Sequence, residues 1–363
     1  MIRYRFFEIW RFLAALLIML YHFSHFAPPE TQWVKDDLER LRPLLDLFFI
    51  ISGFLIFTRY EREVKDVATY LTYLGKRLAR LYPLHLFTLA YFVLVGLAVQ
   101  VGWSNTGGNP DLFDWSALPT QLLLVHAWGF EDRLSFNFVS WSLSAEWFAY
   151  LMLPVILIAY RRAGLGGLGL LVLLSFAFLE ALVASGVTPF RRWIDIDSWG
   201  AYRVFADFAL GAFISVLAAR SRLRIVSTLY PWIAVMATCV SMLIGMTVYV
   251  NIALIALAIF LAAVTEKNRP AVCAYPLFLR PAAIVSFGVY LWHPVVESLM
   301  FSLIWSRYLE GHSSGIFFGY VAVSMLITII IAMLSFRFLE NPVAGYFLSR
   351  LGGSRKNDRV PQG

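Results

Sequence analysis

An all-α, polytopic integral-membrane fold is predicted by three observations. Of 363 residues, 60% are hydrophobic and 17% aromatic, and only 15% are charged. The mean hydropathy is +0.70, well outside the range of a soluble globular domain. Apolar runs of span length also recur along the whole chain, bounded by charges, Gly or Pro. The length accommodates about ten spans of roughly 20 residues with short loops, so any chemistry takes place in or beside the bilayer.

In chain order, the apolar runs predict helices near 6–26, 44–58, 81–101, 140–160, 165–186, 201–219, 226–246, 249–265, 282–304 and 315–338. The second and eighth are short, and the turn at "MTVYV" (246–250) is the weakest boundary. "LPTQLLLVHAWGF" at 118–130 is too short to span and reads as an interfacial or re-entrant helix. The start "MIRYRFFEIWRFLAALLIML" has the basic head of a signal peptide, but no small-x-small cleavage site follows. It therefore reads as a retained first helix.

With the N-terminus inside, one set of loops and ends holds twenty Lys and Arg residues and the other set eight. This asymmetry predicts that both termini are cytoplasmic. It also accounts for the formal charge of +7 without nucleic acid, because the bases sit in short loops between spans. The tail at 346–363 is short and basic, and is expected to be disordered. Cys239 and Cys273 have neither CxxC nor metal-ligand spacing and read as packing residues, and no metal site is expected.

Polar residues inside the apolar runs mark candidate chemistry. "RFLAALLIMLYHFSHF" at 11–26 carries Arg11 and His22 eleven residues apart, about three helical turns and roughly 16 Å along one face. His25 lies one turn further on. Burying a cation in a span costs about 2.5 to 3.5 kcal/mol on the insertion scale, so such residues usually face the bundle interior. The same pattern also fits Arg11 snorkelling to the headgroups with the histidines at the outer interface. Asp46 lies near the outer end of the second run. Arg77 and Arg80 in "GKRLARLYPLH" are three apart, suited either to grip phosphates or to anchor the cytoplasmic face. Ser142 and Glu146 in "SWSLSAEWFAYL" are at i and i+4 on one helix face. His293 in "VYLWHP" stands near mid-depth before Pro294.

Taken together, "RFLAALLIMLYHFSHF", "DLFFIISGFLI", "KRLARLYPLH", "WSLSAEWFAYL", "YLWHP" and the late "RFLENP" resemble the acyltransferase 3 family of bacterial integral-membrane O-acyltransferases. The six motifs occur in order from residue 11 to 342. The fourth departs mildly, with "EWFAYL" where many relatives have Gln-Phe-Tyr. The resemblance implies a transmembrane acyltransferase domain over 1–345 in the bacterial inner membrane. It implies transfer of an acyl group, most often acetyl, from cytoplasmic acyl-coenzyme A to a hydroxyl of a carbohydrate such as an exopolysaccharide, O-antigen or other lipid-linked glycan. Some relatives carry a fused SGNH hydrolase-like domain; the sequence ends soon after its last predicted span, so none is expected here.

Carried over by position, the resemblance pairs Arg11 with His22, makes Arg77 and Arg80 the cytoplasmic arginine motif, and matches Glu146 and Ser142 to the S-L-x-x-E pattern. Acyl transfer to a hydroxyl needs a base, a held thioester and donors for the oxyanion. His22 is the expected base. Glu146 would orient the imidazole or help bind the acceptor. Arg77 and Arg80 would hold the phosphates of the coenzyme, with Arg11 meeting phosphate or pantetheine farther in. Asp46, Ser142, His25 and His293 are candidate acceptor contacts. The rival reading, a transporter or flippase for a lipid-linked or polymeric substrate, draws on the same intramembrane charges but does not require the six ordered motifs.

Overall fold

The computed structural model describes residues 4–103, 110–195, 197–270 and 275–351 and is all-helical, with no strand among the described residues. In chain order the helices are α1 (Arg5–Phe23), α2 (Gln32–Arg40), α3 (Leu45–Tyr60), α4 (Val67–Gln100), α5 (Leu118–Leu123), α6 (Trp141–Leu151) and α7 (Leu153–Ala184). There follow α8 (Gly200–Arg220), α9 (Leu229–Leu243), α10 (Val248–Asn268), α11 (Arg280–Ala283), α12 (Ser286–Val296), α13 (Ser314–Ser335) and α14 (Asn341–Leu351). Two π-helical stretches extend them: Glu297–Leu309 continues α12, and Phe336–Glu340 joins α13 to α14. Cys273 and the tail bases Arg355, Lys356 and Arg359 lie outside the described residues.

Among the described residues, eight helices are long and apolar enough to cross a membrane, where the hydropathy pattern predicts ten spans. Two local features make the difference. The fourth and fifth predicted runs share α7, which is interrupted at Gly164 by φ 58° and ψ −139°. That conformation is open to glycine and breaks the helix at the predicted boundary. The seventh predicted run is realised as the shorter α9. A larger departure is α4, which begins at Val67 rather than near 81. Asp66 caps it: its Oδ1 accepts from Thr69 N at 2.8 Å, and Thr69 Oγ1 accepts in return from Asp66 N at 3.1 Å. These reciprocal bonds satisfy end groups that the helix itself leaves open and hold the Asp66 carboxyl below its ordinary range. Thirty-four residues make α4 roughly 51 Å long.

The chain divides into two compact units: Met1–Leu55 with Ile214–Phe336, and Ile56–Phe213 with Arg337–Pro361. In the first, α1 packs on α12, α12 on α13 and α9 on α10. Glu266 of α10 accepts from the backbone N–H groups of Arg5 at 2.6 Å and Phe6 at 3.1 Å, so its carboxyl caps the start of α1. Trp232 then meets both Phe6 and Trp10, and this fixes the register of α1. In the second unit, α4 packs on α14 and α6. Ser144 of α6 holds the irregular chain after α5, donating to Leu124 O at 2.9 Å and accepting from Ala127 N at 3.0 Å.

Candidate functional site

In the first unit, α1 carries Arg11 and His22 on one unbroken helix, and α3 and α12 bring polar and aromatic groups to it. The Arg11 side chain is 7% exposed, and its guanidinium lies 4.3 Å from the centre of the Phe48 ring. A desolvated cation over an aromatic face gains about 2 kcal/mol. This buried placement is the bundle-facing alternative of the sequence reading, not the snorkelling one. Phe48 meets Tyr290 at 6.5 Å, and Tyr290 meets His293 edge-on at 5.6 Å. Asp46, in the first turn of α3, is fully buried.

The three histidines proposed from sequence converge. His293 is fully buried, and its ring stacks on His22 at 5.2 Å with 26° between planes. His22 stacks in turn on His25 at 5.9 Å and 20°, and His25 Nδ1 donates to His22 O at 3.0 Å. Exposure is graded along the stack, from exposed His25 through partly buried His22 to enclosed His293. Tyr21 meets the His22 and His25 rings edge-on, and the Arg42 guanidinium lies 5.4 Å from the Tyr21 ring. Neither ring nitrogen of His293 has a hydrogen-bond partner. Buried polar atoms without partners are rare and call for an occupant or a function.

In the second unit, Arg77 and Arg80 both lie within α4, where the sequence reading has them just before a span. Arg77 is buried, donates to Tyr60 OH at 2.8 Å, and sits over the Tyr60 and Tyr150 rings at 5.2 and 5.9 Å. Tyr73 closes the cage, 4.6 Å from Tyr60 and 6.2 Å from Tyr150. Arg77 Nε and Tyr73 OH have no hydrogen-bond partner. Glu146 of α6 accepts from Tyr150 OH at 2.6 Å, and it lies with Glu340 within electrostatic reach of Arg80. Ser142 donates to Val139 O at 3.0 Å; it shares a helix face with Glu146, but each has its own partner.

Sequence reasoning missed the tyrosines of this cage. The signal was local in part: Tyr73 stands four residues before Arg77, and Tyr150 four after Glu146. It also missed a buried polar network in the same unit. His85 Nε2 donates to Gln121 O at 2.8 Å, and His126 Nε2 lies 3.1 Å from Ser140 Oγ. Asn137 Nδ2 donates to Thr88 Oγ1 at 3.0 Å. Nearby, half-buried Glu131 accepts from Thr120 Oγ1. Loss of solvent, and then the charge of Asp114, push its carboxyl up to about 7. Among the described residues, no group of three or more His, Cys, Asp or Glu side chains could hold a metal ion.

Residues 4–335 match a family model described as an acyltransferase domain. A curated relative, acyltransferase MdmB of Streptomyces mycarofaciens, is 33% identical over 153 residues. That match covers 40% of this chain and spans 37% of the relative's length. No solved structure matches the chain.

Proposed function

We propose, from the premise that this chain belongs to the acyltransferase domain family, that it is a bacterial inner-membrane O-acyltransferase. It moves an acyl group, in first place acetyl, from cytoplasmic acyl-coenzyme A to a hydroxyl of a cell-surface or lipid-linked carbohydrate. In this reading the chain crosses the bilayer about ten times, as its apolar runs of roughly 20 residues suggest, with both termini in the cytoplasm.

His22 is the general base. One ring nitrogen takes the proton of the acceptor hydroxyl while the oxygen attacks the thioester carbonyl. The tetrahedral intermediate then expels the coenzyme thiolate, to which the proton passes. The observation that carries this reading is the stack of His22 between His25 and His293, which fixes the plane of the imidazole. A base held in one orientation is what proton abstraction requires.

The Arg77 and Arg80 constellation supplies the anion-binding function. Two guanidiniums three residues apart on one helix suit the phosphates of a nucleotide-bearing donor. The unpartnered Nε of buried Arg77 supports this assignment. Glu146, hydrogen-bonded to Tyr150 and in electrostatic reach of Arg80, balances these cations and holds the cage in shape. Arg11 binds phosphate or pantetheine. Asp46, Ser142, His25 and His293 contribute acceptor contacts.

The test is mass analysis of surface glycans from cells with and without the gene. Loss of an acyl-sized mass from one glycan in the deletion strain supports the reading and names the acceptor. Identical glycans overturn it.

A further inference from the structure

Glu297 enters none of the roles assigned so far, yet it stands one helical turn from His293, whose ring stacks on His22. Its backbone N–H donates to His293 O, so the two side chains stand one turn apart on the same side of the helix. Beyond Glu297 the chain turns π-helical, a geometry that is rare and occurs often at functional sites. At four-residue spacing along this segment stand His293, Glu297, Phe301 and Trp305, of which Glu297 is partly buried and the other three are buried. Phe301 and Trp305 are buried while most of the residues between them are exposed.

The neighbours on either side locate Glu297. One turn before it, His293 stacks on His22. One turn after it, Phe301 packs on Phe23 at 4.7 Å and Phe26 at 5.3 Å. Glu297 therefore lies on the rung between, facing the end of α1 that carries the base. Its Oε2 is buried and has no hydrogen-bond partner, and the same holds for both ring nitrogens of His293. A carboxyl inside a span is costly to insert, so an apolar residue here would suit the bundle better unless the carboxyl has a ligand.

We infer that His293 and Glu297 form a subsite beside His22 that hydrogen-bonds a second hydroxyl of a polyhydroxylated acceptor and so selects which hydroxyl is acylated. An imidazole offers one donor and one acceptor, and a carboxyl adds further acceptors, a set matched to a hydroxyl that both gives and takes a hydrogen bond. The inference rests on the reading of His22 as base and adds the determinant of position.

The test compares wild type, Glu297→Met and Glu297→Gln in the gene-deleted cells, reading the amount of acyl group on the surface glycan and its ring position by NMR. The heat stability of each purified protein is read alongside. Methionine keeps the length and removes the charge, so Glu297→Met is expected to be at least as heat-stable as wild type. Its acylation is expected to fall about tenfold, the worth of one hydrogen bond to substrate, or to spread to a second hydroxyl. Glutamine, which can still bond a hydroxyl, is expected to recover most of both. Unchanged amount and position in Glu297→Met overturn the subsite. So does a loss that only follows reduced protein stability with position unchanged. In either case an inactive His22→Ala leaves the base assignment standing, whereas wild-type glycans identical to those of the deletion strain remove the parent reading and the subsite together.

Discussion

The His22 and His293 rings are stacked 5.2 Å apart although 271 positions separate them in the chain. Both residues are histidines within long apolar helices, and the contact joins α1 to α12. Ionisable residues inside apolar helices are costly to insert and usually mark a functional region, which makes this pair the place to test first.

A different part of the same unit gives the first prediction. Arg11 is held over Phe48 at 4.3 Å. Phe48→Leu keeps the side chain apolar and removes the aromatic face. Thermal unfolding of the purified protein should show a loss of about 1 to 2 kcal/mol, and Arg11→Met combined with Phe48→Leu should cost less than the sum of the single changes. Additive effects would show that the contact contributes nothing.

The tyrosine cage gives a kinetic prediction. Arg77→Lys preserves charge but not the planar fork that meets Tyr60 OH and the two ring faces. The KM for acyl-coenzyme A should rise about tenfold with a much smaller change in kcat. Steady-state kinetics at saturating acceptor checks it. A fall in kcat at constant KM would assign Arg77 to the chemical step instead.

Glu131 predicts a pH dependence. Its folded-state carboxyl titrates at about 7 against an ordinary 4.5, so between these values the unfolded chain has lost a proton that the folded chain keeps. Stability therefore falls as pH rises from about 4.5 to about 7. The group is half exposed, so solvent reduces the effect. Glu131→Gln should flatten this part of the profile of melting temperature against pH, and an unaltered slope would show that the residue does not titrate there.

Packing around Gly200 gives a stability prediction. A Cβ at this position would lie 2.5 Å from the Trp141 ring, and Trp141 opens the helix that carries Ser142 and Glu146. Gly200→Ala should cost about 1 to 3 kcal/mol through overpacking, read as a lower melting temperature. A neutral outcome would mean that Trp141 moves aside freely.

Much of this architecture is legible in the sequence because the bilayer demands long apolar runs, and the limits of α1, α8 and α10 fall within a few residues of the hydropathy pattern. The candidate residues Arg11, His22 and Glu146 are legible as costly exceptions in that pattern, and Arg77 as one of a basic pair flanking a run. What hydropathy could not show is partnership. His22 with His293, and Arg77 with Tyr60, are contacts between separate helices, and no periodicity records them. The early start of α4 did have a local signal, the Asp66-x-x-Thr69 cap. The run 61–72 is polar, so hydropathy does not mark it, and helices are not confined to apolar sequence. The π-helical stretch from Glu297 to Leu309 leaves no compositional trace either.

The measurement closest to the central claim is acyl transfer by purified His22→Ala. Radiolabelled acetyl-coenzyme A is the donor and surface glycan from the deletion strain the acceptor. With a melting temperature matching wild type, the rate should fall by about 10² to 10⁴, the usual contribution of a positioned base. Transfer at the wild-type rate by that folded variant would contradict the account.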